Sequence, residues 1–67
     1  MIAIEWVEST VEEPDLRTAD LNDPEVERFF RRIPERDGRV LRVAVNTHVA
    51  PWRVVSVFFD RSMRGTL

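Results

Sequence analysis

The segment RVVSVFFDR, residues 53–61, would present apolar side chains on both sides of an extended chain: Val55, Val57 and Phe59 on one, Val54 and Phe58 on the other. A strand that faces water on one side alternates apolar with polar residues, so this pattern predicts a central or doubly covered strand. One short helix covers one face only. The second face then needs another helix, a wrapped N-terminal arm or another copy of the protein.

The chain has 67 residues, which predicts a single small domain spanning 1–67. A domain of roughly 60 residues buries only about 60% of its unfolded surface, and no cysteine is present to add a disulfide. Self-association, as a homodimer, is the expected remedy. The lack of cysteine also excludes thiol chemistry. No long apolar run or charged-then-apolar leader occurs, so the expectation is a cytoplasmic protein with no membrane contact.

Ile4, Val7 and Val11 recur at helical spacing beside Trp6 and predict a short helix over 4–13, ended by Pro14. The acidic stretch from Pro14 to Pro24 holds few large apolar groups and reads as an exposed connection. VERFFRRI, residues 26–33, admits two readings. Val26, Phe29, Phe30 and Ile33 fit the helical template, with Asp23 as N-cap and Pro24 in the first turn. The segment is short for a helix, however, and Asp37-Gly38 beyond Pro34 is a hairpin signal that asks for a strand on each side. RVLRVAVN, residues 39–46, alternates Leu41, Val43 and Val45 against Arg42 and Asn46, the pattern of a half-buried strand. Pro51 marks a loop over 47–51. WRVVSVFFD, residues 52–60, is the last strand, and SMRGTL reads as a frayed tail.

The words RRIPERDGRVLRVAVN and RVVSVFFDR at this separation resemble an uncharacterised bacterial family of small single-domain proteins related to the BrnT and RelE-like toxins. The resemblance covers residues 4 to about 61, and the pairing of GRVLRV with VFFDR carries most of it. It implies an α+β fold, with the short N-terminal helix packed on a three-stranded antiparallel sheet and strands near 26–33, 39–46 and 52–60. Such proteins begin with an additional helix bearing a histidine and arginines. Met1 stands where that helix would end, so residues needed for RNA cleavage would be missing and sheet surface uncovered.

Charge is divided along the chain. Residues 1–25 carry eight acids against Arg17, a balance of minus seven; residues 26–67 carry nine arginines against Glu27, Glu35, Asp37 and Asp60, a balance of plus five. On a strand, Arg28 and Arg32 share one face and Arg31 lies on the other with Phe29. Arg28, Arg42, Arg53 and Arg61 are the candidate RNA-binding residues, since forked guanidinium groups grip phosphates, and RelE-like ribonucleases use a basic sheet face of this kind. A solvated face balanced by the acidic N-terminal third explains the same arginines without RNA, and the net negative charge repels nucleic acid at long range.

His48 is the sole imidazole and the general acid/base candidate, although no sequence neighbour orients it. Asp60 with Arg61 reads as a terminal ion pair or a functional acid beside a phosphate binder. Trp6 and Trp52 read as core, Trp52 packing on the helix that carries Trp6. Glu5, Glu8, Glu12 and Glu13 stand at helical spacings without histidine or cysteine, so no metal site is expected; no phosphate loop or cofactor motif occurs either. Three functions fit this sequence: a toxin-like RNA-associated protein, a non-enzymatic homo-oligomeric interaction module, or an antitoxin-like partner that masks a basic toxin with residues 8–25.

Overall fold

Residues 1–67 are described by a computed structural model, in which α1 (Ile4–Glu12) precedes β1 (Leu16–Ala19), β2 (Val26–Ile33), β3 (Arg39–Asn46) and β4 (Arg53–Phe59), with 3-10 turns at Pro34–Arg36 and Arg61–Met63. The fold is α+β, and its sheet is antiparallel in the order β1-β2-β3-β4. It has four strands where three were expected. The additional strand, β1, lies in the acidic stretch read as an open connection, and pairs Leu16 with Phe30 and Ala19 with Glu27.

Residues 26–33 form a strand despite their helical spacing. The register sets Phe29 opposite Val43 and Ile33 opposite Arg39, while Val26 and Phe30 fall on the other face. All four are buried because both faces of β2 are covered, and an apolar pair on each side of a strand mimics a helical stripe. The turn that follows takes Asp37 and Gly38 into the left-handed region, at φ 57° and 73°, where aspartate is tolerated and glycine is unstrained. Gly38 N–H donates back to the Ile33 carbonyl at 3.1 Å and closes the hairpin.

On the helix side the core is Phe29, Ile33, Leu41, Val43 and Val45, against which Ile2, Trp6, Val7, Val11, Val57 and Phe59 pack. Ile4, expected in the apolar stripe of α1, faces solvent instead. Thr10 is fully buried and donates its hydroxyl to the Trp6 carbonyl at 2.7 Å, so its polar atom has a partner within the helix. Trp52 lines a groove with Val7 and Val11 of α1, beside the helix that carries Trp6, but it is half exposed rather than core. It precedes β4 and stands 5.9 Å from the Phe29 ring, while Trp6 meets Phe59 edge-on at 6.3 Å.

The opposite face carries Val26, Phe30, Val40 and Ala44, all buried although no helix lies over them. Arg28, Arg32 and Arg42 share that face and lay their aliphatic stems across it while their heads bond outward. Arg28 pairs with Asp20 at 2.9 Å and Arg42 with Asp60 at 3.4 Å; Arg32 donates to the carbonyls of Gly38 and Leu67. The C-terminal segment is therefore tied down rather than frayed. Cover for the second face comes from arginine stems and returning chain; it buries the residues of β2 and β3 but reaches β4 only where Arg42 lies over the Phe58 ring.

Candidate interaction surface

β4 is an edge strand, contrary to the doubly covered position its composition suggests. Trp52, Val54, Val55 and Phe58 are 48%, 48%, 55% and 41% exposed, on both faces of the strand. A bulge contributes to this arrangement. Val45 pairs with Val54 and Ala44 with Ser56, which leaves Val55 without a partner and turns Val54 to the helix side with Val57 and Phe59. Strict alternation had placed Val54 with Phe58.

Edge strands are usually defended by charge, proline or brevity. The other edge, β1, is four residues long and carries Arg17, paired with Glu27 at 2.6 Å. β4 is seven residues long, and its defences are the exposed Arg53 at its start and the bulge at Val55; from Val54 to Phe59 it carries no charge and no proline. At its N-terminal end, an apolar groove of about 340 Å³ is lined by Val7, Val11, Val45, Trp52 and Val54 and rimmed by Glu8 and Glu12. At its C-terminal end, Arg36 lies 5.9 Å over the Phe59 ring, and Arg39, Val40, Phe59, Asp60, Arg61 and Arg64 line a cavity of about 450 Å³. On the helix side the two ends of the exposed edge thus differ in sign, Glu8 and Glu12 at one and Arg36 at the other, while Arg53 adds a cation to the opposite face of the first end.

The four candidate RNA-binding arginines are distributed unevenly. Arg28, Arg42 and Arg53 share the face away from α1, with Arg42 opposite Phe58 and Arg53 opposite Asn46, and Arg61 follows in the turn after β4. Arg28 and Arg42 are each committed to an aspartate. Arg53 and Arg61 are exposed. These ion pairs join residues distant in sequence, and only the register of β1 and the return of the chain after β4 would have revealed them. The expected neighbour pair of Asp60 with Arg61 does not form; Arg42 takes that carboxylate.

Asp60 caps the final turn. Its Oδ1 accepts from Ser62 N–H at 3.0 Å and Ser62 Oγ at 2.6 Å, and its Oδ2 accepts from Arg42 at 3.4 Å. The Ser62 hydroxyl, then its N–H and Arg42, hold this carboxyl below the usual aspartate value against some desolvation. Asp20 is lowered likewise, first by the N–H of Asn22 and then by Arg28. A carboxyl whose folded-state pKa is depressed contributes stability that is complete above its unfolded value, near about 4, and lost as pH falls through the lower folded value. Asp60→Asn should therefore cost about 1 kcal/mol at neutral pH and make the decline in stability below about pH 4 shallower than in the parent. Urea midpoints measured against pH would show this; parallel acid limbs would contradict it.

His48 lies in the loop after β3, and it is the backbone N–H of this residue that is bonded, to Asn46 Oδ1 at 2.9 Å. Nothing in that geometry orients the imidazole for proton transfer. No three His, Asp or Glu side chains come together as a potential metal site, and no helix is long and apolar enough to cross a membrane. Compared with protein-family models, curated proteins and solved structures, the chain matches none.

Proposed function

We propose that this protein is a non-enzymatic interaction module that pairs with a second copy of itself along the outer edge of β4. The observation that carries this reading is a strand edge with no charge or proline from Val54 to Phe59, a single bulge, and exposed apolar side chains on both faces. A second copy fits this edge by charge as well as by apolarity. Antiparallel pairing about a two-fold axis perpendicular to the sheet sets the N-terminal half of β4 beside the C-terminal half of its mate and keeps the helices on one side. Glu8 and Glu12 of each copy then approach Arg36 of the other, whereas parallel pairing would set like charge near like.

A toxin-like ribonuclease of the BrnT and RelE kind would read RNA from the sheet face with Arg28, Arg42, Arg53 and Arg61 together, and the aspartates that hold Arg28 and Arg42 weigh against that use of the face. An antitoxin-like role for residues 8–25 calls for a segment that orders on its partner. Here that segment includes the end of α1 and all of β1. Sedimentation velocity at micromolar concentrations tests the pairing: a concentration-dependent rise to twice the monomer mass is expected, and a monomer throughout would overturn it.

A further inference from the structure

We infer that the arginine-lined cavity beyond the end of β4 is a binding site for a small phosphate monoester with a flat apolar body. This site adjoins the C-terminal end of the proposed pairing edge and shares Phe59 with it, but its cations come from outside β4 and its binding does not depend on pairing. Arg39 enters from the start of β3, and Arg61 and Arg64 come from the turn after β4. The ion pairs of the fold are Arg17 with Glu27, Arg28 with Asp20, and Arg42 with Asp60, so none of these three guanidinium groups is matched by a carboxylate. The one acid in the wall, Asp60, is already occupied by Ser62 and Arg42. Its capping bonds fix the turn that displays Arg61, so the acid organises the site without neutralising it.

Three unmatched cations around one concavity favour a dianion over a monoanion, and forked guanidinium groups match the oxygens of a phosphate. A phosphate monoester carries about −1.5 to −2 charge near neutral pH, whereas a carboxylate carries one charge. The cavity, about 450 Å³, falls within the range of small-molecule sites. The half-buried Phe59 supplies the accessible apolar part of the wall beside the cations, Val40 behind it being fully buried, and this suits a small aromatic or heterocyclic body attached to the phosphate.

Chemical-shift titration of the full chain at fixed ionic strength, with phenyl phosphate, inorganic phosphate and benzoate as probes, tests the assignment. Phenyl phosphate should bind most tightly and benzoate most weakly, with shifts concentrated at Arg39, Phe59, Arg61 and Arg64. The double variant R61A/R64A should weaken phenyl phosphate about tenfold or more while its circular dichroism stays that of the parent. Arg31→Gln, outside the cavity, should leave affinity unchanged. Repeating the titration in Val55→Lys, which alters the pairing edge, should give the parental affinity and so separates this site from self-association. Absence of phenyl phosphate binding, equal binding of benzoate, or equal loss in R61A/R64A and Arg31→Gln would overturn the assignment.

Discussion

Phe29→Ala is expected to leave a large share of the molecules unfolded at room temperature. Phe29 is fully buried at the centre of the helix-side core, pressed by Trp52 at 5.9 Å and covered by the Arg17 guanidinium 4.7 Å from its centroid. Removing a buried phenylalanine ring costs about 3–5 kcal/mol through lost transfer energy and the cavity left behind. At about 0.05–0.15 kcal/mol per residue, a chain of this length holds roughly 3–10 kcal/mol in total. Few neighbours are able to close such a gap, because one helix and one sheet face make up that whole core. Phe58→Ala is the matched control. Phe58 is 41% exposed at the edge, under the Arg42 guanidinium, and should cost about 1 kcal/mol. Urea denaturation followed by circular dichroism distinguishes them; equal losses would mean that the core is not where the structure puts it.

Val55→Lys is expected to abolish self-association while leaving the fold intact. Val55 is the unpaired residue of the bulge and 55% exposed, so the monomer loses little, within about 0.5 kcal/mol. In the dimer the effect is doubled by symmetry. Residue 55 lies near the middle of β4, so antiparallel pairing brings the two copies of it close to the two-fold axis. One substitution therefore sets two ammonium groups near each other and removes apolar contact from both chains. A weakening of about a hundredfold or more follows from the lost burial and the like-charge repulsion together. Lysine is also the residue with which natural edge strands repel such pairing. Sedimentation of this variant should show only monomer where the parent shows dimer, and a dimer as tight as the parental one would exclude the β4 edge.

Much of this fold was legible in the sequence, and the departures share a cause. β3 declared itself as a strand through Leu41, Val43 and Val45 alternating with Arg42 and Asn46, and its register bears this out, but it is covered on both faces rather than half-buried, since Val40 and Ala44 are buried as well. β2 was ambiguous because Phe29 and Ile33 face the helix while Val26 and Phe30 face the arginine stems, a two-sided burial that spacing alone cannot tell from a helical stripe. β1 escaped notice because four residues, Leu-Arg-Thr-Ala, hold too little apolar surface to signal a strand; its pairing with β2 defines it. β4 misled in the opposite sense. Its unbroken apolar run reads as burial, and composition records how much cover a strand wants without saying whether the same chain provides it.

The arginines illustrate the same limit. Their number and lack of lysine were visible, but which ones are free was not. Arg28 and Arg42 are engaged only because β1 ends at Asp20's side of the sheet and the last turn returns Asp60, whereas Arg39, Arg61 and Arg64 are left around a cavity. A basic stretch thus divides into stems that roof an apolar face and cations that remain available.

Amide hydrogen exchange along Arg53–Phe59, measured at several protein concentrations, tests the strand pairing most directly. Exchange at the outward amides of β4 should slow as concentration rises, in both halves of the strand, while those of β1 stay constant. Outward amides that exchange at the same fast rate at every concentration would contradict a shared sheet.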